Sequence, residues 1–519
     1  MKNNVELIYT RFLRSILCVR VPFYTFHKDC MMSTPVTDLS FASIQILKSM
    51  LEARTISAQE LLDHSLQRFA QYDEDLGSAL EVFDKESVIK ASSSKGSLAG
   101  IPGLLKDNIA QQGRNLTCAS KILENYYAVQ DATATKRLKE EGALLLGRAN
   151  CDEFAMGSST ENSAYKKTKN PWDSTRVPGG SSGGSVAAVA AGFVPWALGS
   201  ETGGSVRQPA AFCGVVGFKP TYGLISRNGL VAYASSLDQI GVVTRTVYDS
   251  ALVLSAIAGH DEKDSSTLPI KKQDYTCNLD GLLPKGIRIG VVENALTAEG
   301  IDSEVVEAIE ESIRTLQRIG ATVKRISLPS LDYSAAAYFI LSRAEAASNL
   351  ARFDGVRYGL RSTEGKTLQD MYAKTRHDGF GEEVRRRIMI GNYVLSAGHA
   401  GAFYLNAQKV QRVIRRDFLD SFKDVDLLVM PTHPAPAFTF GAFDLDKLQM
   451  DLQDYFTCPI NLAGIPALSV PCGMSSSRLP IGFQFVGPHL SEGLLFQVGH
   501  AYQQNTSWHT MHPRMFLSV

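Results

Sequence analysis

Residues 176–218 read RVPGGSSGGSVAAVAAGFVPWALGSETGGSVRQPAAFCGVVGF, and two Gly-Gly-Ser turns in this stretch end at Ser181 and Ser205. Glycine has no Cβ, so backbone N–H groups beside it can approach a ligand closely. A hydroxyl that directly follows two glycines therefore lies beside exposed amides, which is the geometry of an oxyanion hole. Apolar runs at 186–191 and 212–218 interrupt the stretch, and a flexible Gly/Ser linker would not carry such packed segments. The pattern predicts an active-site loop.

The overall composition is that of an ordinary globular protein with ample material for a core. Of 519 residues, 44% are hydrophobic and 20% are charged, and the 53 Lys and Arg residues equal the 53 Asp and Glu residues. This balance provides no basic field that could hold nucleic acid by its phosphates, so an RNA substrate would need a different polypeptide to bind most of it. No run approaches the ~20 apolar residues of a membrane span.

The eight cysteines include no C-x-x-C pair and no tight cluster. This spacing argues against a zinc site or a disulfide framework, and it favours a reducing compartment.

Residues 1–30 differ in composition from the rest of the chain. They carry three arginines and only two acidic residues, as organelle transit peptides do. A start placed too early, ahead of Met31, would produce the same segment. We expect residues 1–30 to be an unstructured extension, and residues 31–519 to form a single domain.

Helical and strand patterns alternate along most of that domain, which is typical of an α/β fold. Two helices are predicted within residues 40–72, and Ser57 with Glu60 forms a capping box at the start of the second. Further helical stretches are predicted over residues 131–141, 303–319, 338–350 and 382–413. Strands are predicted over residues 143–146, 286–292, 321–328, 425–431, 466–471 and 481–487.

Ser205 is the first candidate nucleophile, and a serine hydroxyl needs a base to take its proton. None of the ten histidines lies in the glycine-rich stretch. A G-x-S-x-G nucleophile elbow would need a strand leading into the turn, and Pro178 with the polar run before it disfavours one. A buried lysine can act as the base instead, because desolvation lowers its pKa. Lys106, within LAGIPGLLKDN, is the best-placed candidate.

Three motifs together resemble the amidase signature family. They are Gly100-Ile101-Pro102 followed by Lys106-Asp107, then GGSSGGS, then TGGSVRQPAAFCG, in that order. The resemblance implies an amidase signature fold, with a large mixed β-sheet covered by helices on both faces. It also implies a Ser–cis-Ser–Lys triad: Ser205 as the acyl-ester nucleophile, Ser181 as the bridging serine after a cis bond to Gly180, and Lys106 as the general base. The oxyanion would be held by the amides of Thr202, Gly203, Gly204 and Ser205.

Within that family, the resemblance extends to the A subunits of glutamine-dependent aspartyl/glutamyl-tRNA amidotransferases. It rests on stretches such as DEFAMGSSTENS, FCGVVGFKPTYGLISRNGLVAYASSLDQIG and PINLAGIPALSVPCG. It implies a glutaminase that supplies ammonia for converting Glu-tRNA(Gln), or Asp-tRNA(Asn), in a heterotrimer with the B and C subunits. ATP and Mg²⁺ would be used, and tRNA mainly bound, by the B subunit, with no cofactor or metal on this chain and no membrane contact. A free-standing amidase of small or acyl amides is the alternative.

Free glutamine is a zwitterion, so its pocket needs a cation for the carboxylate and an anion for the ammonium. The resemblance assigns these roles to Arg386 and Asp454, with Tyr338 and Gly157 also lining the pocket. Because Arg385, Arg386 and Arg387 are adjacent, the assignment could slip by one residue. Asp451 is a nearby alternative to Asp454. The family implies a cytoplasmic protein, or a mitochondrial matrix protein if residues 1–30 are a transit peptide.

Overall fold

Eleven strands form one sheet in the computed structural model, which describes residues 38–517. The predictions about residues 1–30 lie outside the described residues. From Asp38 onward the chain forms one unit. The strands are β1 Ala79–Val82, β2 Pro102–Lys106, β3 Leu144–Ala149, β4 Trp196–Glu201, β5 Val216–Lys219, β6 Gln239–Thr244, β7 Arg288–Val292, β8 Thr322–Ile326, β9 Leu427–Pro431, β10 Ala467–Met474 and β11 Pro480–Val486.

The sheet is mixed, with the order β1-β3-β2-β4-β6-β5-β10-β11-β9-β7-β8. Strand β2 runs parallel to both β3 and β4, and β7 runs parallel to β8 and β9. The remaining pairs are antiparallel. Nearly all residues of the central strands are buried, because both faces of the sheet are covered.

Sixteen helices lie within the described part of the chain. They are α1 Ile44–Glu52, α2 Ala58–Leu76, α3 Lys85–Lys90, α4 Thr133–Glu140, α5 Gly183–Ala190, α6 Arg207–Cys213, α7 Val247–Ile257, α8 Glu293–Leu296, α9 Ser303–Arg318, α10 Ser334–Leu350, α11 Leu368–Gly379, α12 Glu382–Leu395, α13 Tyr404–Ser421, α14 Lys447–Asp451, α15 Cys458–Ala463 and α16 Glu492–Gln504. No helix among residues 38–517 is long and apolar enough to span a membrane.

Consecutive residues of one strand pack in different apolar clusters. In β2, Leu105 packs in the cluster that contains α7, whereas Leu104 packs in the cluster that contains α5. In β9, Val429 joins the α7 cluster, whereas Leu428 packs with residues of α10. Successive side chains of a strand point to opposite faces, so helices cover both faces of the sheet. The predicted α/β fold with a large mixed sheet is confirmed.

Most predicted elements are present with boundaries shifted by a few residues, and the capping box of Ser57 and Glu60 is formed. The helical stretch predicted over residues 382–413 is wrong in one respect. It is two helices, because the chain becomes extended at Ser396 and the connecting segment contains Gly398 and Gly401, residues of low helix propensity.

Candidate active site

Three parallel strands bring the candidate catalytic residues to one edge of the sheet. Strands β2, β3 and β4 lie side by side and run in the same direction, so the residues that follow them meet at the same edge. Lys106 is the last residue of β2, and Glu201 is the last residue of β4. The loop after β4 contains Ser205, and the residues just before α5 contain Ser181. Positions far apart in sequence are thus neighbours in space.

The peptide bond between Gly180 and Ser181 is cis, as predicted. The N–H of Gly180 donates to Oε1 of Gln208 at 3.0 Å, and the carbonyl of Ser181 accepts from the N–H of Asp152 at 3.2 Å. A Cβ at position 180 would lie 2.2 Å from Oδ2 of Asp152, so only glycine fits there. These contacts from α6 and from the loop after β3 fix the backbone on both sides of the bond.

Lys106 is fully buried, and its side-chain nitrogen donates to Oγ of Ser181 at 2.6 Å. The same nitrogen also contacts Oγ of Ser182 at 3.0 Å and the carbonyl oxygen of Ser200 at 3.2 Å. Burial lowers the pKa of Lys106 to about 8, although the neighbouring Cys151 thiol acts in the opposite direction. The neutral amine that a general base requires is therefore accessible near neutral pH.

The two adjacent serines differ in what their hydroxyls can do. Ser182 Oγ donates to the carbonyl of Ser200 at 3.0 Å and accepts from the N–H of the same residue at 3.2 Å. The hydroxyl proton of Ser182 is therefore held in a hydrogen bond to the backbone of β4. Ser181 Oγ has Lys106 as its hydrogen-bond partner among residues 38–517, so its proton remains free to move. This difference favours Ser181 as the relay.

The loop of Ser205 is held so that its amides stay unpaired. The carboxylate of Glu201 accepts hydrogen bonds from the N–H groups of Val206 and Arg207, each at 3.2 Å. By contrast, the N–H groups of residues 202–205 find no acceptor in the described part of the chain, nor does the hydroxyl of Ser205 find a partner there. Ser205 is 4% exposed. Unpaired amides beside a nearly buried hydroxyl are what oxyanion binding needs.

Two glycines of this loop pack directly against predicted glutamine-binding residues. A Cβ at Gly203 would lie 2.4 Å from Cζ of Tyr338, and one at Gly204 would lie 2.8 Å from Oδ1 of Asp454. Tyr338 lies on α10, and Asp454 lies in a short 3-10 turn that follows α14. The structure thus brings both residues next to the Ser205 loop.

The carboxylate of Asp454 is buried, and one of its two oxygens has no hydrogen-bond partner in the described part of the chain. Its Oδ2 accepts from Oγ of Ser158 at 3.3 Å, and its Oδ1 has no partner among residues 38–517. Burial raises the pKa of Asp454 to about 7, although the charge of Arg387 counteracts this rise. Gly157 precedes Ser158 in the same buried loop. An unpartnered buried carboxylate oxygen is a natural acceptor for an ammonium group.

The structure separates the three adjacent arginines of α12. Arg386 is half-buried and donates twice to Glu383, at 2.7 and 2.8 Å. Arg387 is buried, donates to the hydroxyl of Tyr233 at 2.9 Å, and is the arginine whose charge acts on Asp454 and Tyr338. Arg385, in turn, acts on Glu153. Arg386 and Arg387 both contact Glu383, and the charge of Arg387 is the one that acts on Asp454, so the choice of arginine for the glutamine carboxylate stays a prediction.

Two acidic residues near Lys106 were not identified from the sequence. Asp152 accepts from the N–H groups of Thr160 and Asn162, and Asp238 accepts from Oγ1 of Thr202 at 2.6 Å. Burial raises the pKa of each carboxyl to about 6. Both act on the charge of Lys106. Asp152 opens the DEFAMGSSTENS stretch, but nothing in those residues indicates proximity to β2.

Comparison with known proteins identifies the family of this chain. A family model described as Amidase matches residues 60–496. The chain belongs to the amidase family. Among amidase-family relatives, the A subunit of glutamyl-tRNA(Gln) amidotransferase from Halothermothrix orenii is 51% identical over 474 residues, covering 91% of this chain and 99% of that protein. The corresponding protein from Rippkaea orientalis is 52% identical over 481 residues, with 91% and 99% covered. The predicted family membership is confirmed.

Solved structures of the amidase family share the fold. The crystal structure of the A subunit of glutamyl-tRNA(Gln) amidotransferase from Thermotoga maritima is 43% identical with a TM-score of 0.79, covering 92% of this chain and 98% of that one. A 6-aminohexanoate cyclic dimer hydrolase is 28% identical with a TM-score of 0.80, covering 92% and 100%. The fold is therefore shared by an amidotransferase subunit and by a 6-aminohexanoate cyclic dimer hydrolase.

Proposed function

We propose that this protein is the glutamine-hydrolysing subunit of an aminoacyl-tRNA amidotransferase. The observation that carries the proposal is a buried lysine 2.6 Å from Ser181 Oγ, in a site that also contains the buried Arg387 and a carboxylate oxygen of Asp454 that has no partner among residues 38–517. The first part supplies amide-cleaving chemistry, and the second suits a zwitterionic amide. Curated relatives at about half identity, which are A subunits of glutamyl-tRNA(Gln) amidotransferases, support the same assignment.

The reaction begins with proton transfer through Ser181. Neutral Lys106 accepts the proton of Ser181, which in turn accepts the proton of Ser205 as the Ser205 oxygen attacks the side-chain carbonyl carbon of glutamine. The amides of residues 202–205 stabilise the resulting oxyanion. When the tetrahedral intermediate collapses, the relay returns the proton to the nitrogen and ammonia leaves. The remaining γ-glutamyl ester on Ser205 is hydrolysed by water to glutamate, with the relay again taking and returning a proton.

Recognition of the two charged ends of glutamine follows from the pocket. The carboxylate of Asp454 suits the α-ammonium group, and the guanidinium of Arg387 suits the α-carboxylate. Tyr338 lies against Gly203 and shapes the space between these ends and Ser205. Both arginines contact Glu383, and we assign the carboxylate to Arg387 because it is the more buried of the two and its charge acts on Asp454.

The partners follow from the chemistry that this chain lacks. Ammonia must reach a carboxyl group activated with ATP, and we assign ATP, Mg²⁺ and most of the tRNA binding to the B subunit of a heterotrimer that also contains a C subunit. This chain then binds no cofactor and no metal, and it makes no membrane contact. We place the complex in the cytoplasm, or in the mitochondrial matrix if residues 1–30 are a transit peptide.

The decisive experiment is purification of the chain from its source with a mild affinity tag. We expect two companion subunits, one of which binds ATP and tRNA, and conversion of Glu-tRNA(Gln) that depends on glutamine. Conversion of Asp-tRNA(Asn) is measured in parallel. A chain that purifies alone and hydrolyses simple aliphatic amides in preference to glutamine would instead be a free-standing amidase.

A further inference from the structure

A cluster of five charged side chains lies beside Asp454, and we call it the arginine cluster. It contains three arginines from α10 and α12, one glutamate from α12 and one aspartate from the end of α14. Its members are Arg343, Glu383, Arg386, Arg387 and Asp451. Helices α10 and α12 approach closely at Gly391, where a Cβ would lie 2.0 Å from the carbonyl oxygen of Arg343.

Glu383 organises the α12 half of the arginine cluster. It accepts two bonds from Arg386 and one from Arg387 at 2.5 Å. Burial raises the pKa of Glu383, but the two arginines outweigh this effect and bring it to about 2. Glu383 is therefore ionised throughout the working range, and it holds both arginines to their own helix.

Asp451 joins the two helices to a third segment. Its Oδ1 accepts from Arg343 on α10, and its Oδ2 accepts from Arg386 at 3.2 Å. Arg387 lies 3.8 Å from the same carboxylate. The side chain of Asp451 is 10% exposed, so solvent screens these ion pairs only weakly.

These ion pairs hold a segment that has little apolar packing of its own. Helix α14 has no buried residue, and Leu448 within it is 64% exposed. Asp454 follows Asp451 by three residues, about one helical turn. Gln453, which lies between Asp451 and Asp454, accepts from Nε2 of His433 at 2.8 Å. Asp451 is thus the link between the segment that carries Asp454 and the helices that carry the arginines.

We propose that Asp451 is a positioning residue that fixes the spacing between Arg387 and Asp454, and hence between the two ends of the bound glutamine. The inference rests on the proposed function, in which these two residues hold the α-carboxylate and the α-ammonium. The three cations and two anions of the arginine cluster leave one positive charge, which matches the single carboxylate of the substrate. Neither Lys106 nor Ser205 touches the arginine cluster, so its loss affects binding rather than bond cleavage.

The test is steady-state glutamine hydrolysis by the intact amidotransferase carrying Asp451→Asn. We expect the KM for glutamine to rise about tenfold while kcat stays within about twofold, because only substrate placement is disturbed. Asp451→Glu, which restores the charge, should return KM to within about threefold of the parent. Asp444→Asn is the matched control, because Asp444 is exposed in the same segment and pairs with none of the arginines.

The outcomes separate this inference from the proposed function. A parent enzyme without glutaminase activity contradicts both. An active parent whose KM is unchanged by Asp451→Asn contradicts only the positioning role, as does a fall in kcat without a change in KM. Should Asp451→Asn not fold, Arg343→Lys weakens the same link from the α10 side, and an unchanged KM in that variant overturns the inference.

Discussion

The side-chain nitrogen of Lys106 lies 2.6 Å from Oγ of Ser181, and neither side chain is exposed to solvent. Among residues 38–517, the hydrogen-bond partners of Lys106 are neutral oxygen atoms, and burial outweighs the influence of the carboxyls of Asp152 and Asp238 on its charge. Its role as a base follows from that environment. Substitutions in the relay, the base, the pocket and the oxyanion loop should therefore have distinct kinetic effects.

Ser181 and Ser182 both contact Lys106, yet we expect their substitutions to differ in effect. Ser181→Ala should lower kcat for glutamine by about 10²- to 10⁴-fold, because it removes the proton relay. Ser182→Ala should cost about tenfold or less, since that hydroxyl is engaged by the backbone of Ser200. The measurement is kcat at saturating glutamine for each variant, with Ser205→Ala as the inactive reference. Equal losses in the two variants would contradict the assignment of Ser181 as the relay.

The activity should depend on pH through Lys106. Burial lowers the pKa of Lys106 from 10.5 to about 8, so the neutral base becomes populated as the pH rises, and kcat should climb until it levels off above that value. The unfolded chain binds this proton up to about pH 10.5 and the folded chain only up to about pH 8, so the free energy of unfolding should rise as the pH increases from 8 to 10.5. Measurements of kcat from acid to alkaline pH check the first expectation.

Lys106→Arg provides the control for that profile, because an arginine does not deprotonate in this range. We expect this variant to lose about 10²-fold or more in kcat and to lose the rising limb. A rate in the parent that does not change with pH would show that Lys106 is not the base.

Arg387 and Arg386 form a natural pair of variants on one helix. Arg387→Gln should raise the KM for glutamine about 10- to 100-fold, because a hydrogen bond to a charged group is worth about 1.5–3 kcal/mol. Arg386→Gln should raise KM less than about fivefold, since its guanidinium is partly exposed and Arg387 is the arginine whose charge acts on Asp454. Both KM values are measured with thermal midpoints alongside. The reverse order would assign the carboxylate to Arg386.

The oxyanion loop tolerates no side chain at Gly204. A Cβ there would lie 2.3 Å from Oγ1 of Thr457, so Gly204→Ala must displace the loop or the residues against it. Because one displaced oxyanion donor costs about 10²- to 10³-fold in kcat, we expect a loss of at least that size. Gly398→Ala is the control, since a Cβ at that position meets no atom within 4 Å. An active Gly204→Ala enzyme would place the oxyanion elsewhere.

Much of the candidate site could be predicted from the sequence because its decisive residues are clustered in short motifs. Ser181, Ser205 and the glycines beside them need a backbone that approaches closely, and only glycine permits contacts such as that between position 180 and Asp152. Because only glycine meets this requirement, it can be recognised from the residue types alone. The order of the three motifs then identified the amidase family, and the family predicted both the cis bond and the mixed sheet.

Features that depend on the direction of a side chain were determined by the tertiary structure. Arg385, Arg386 and Arg387 are consecutive, and successive helical residues point about 100° apart, so their directions are set by how α12 packs against α10. The proximity of Asp152 and Asp238 to Lys106 likewise required three strands to meet at one edge of the sheet. Sequence alone determined the chemistry, because that chemistry needs particular residue types. Only the folded chain decided which charges surround the substrate, because burial and distance arise from long-range packing.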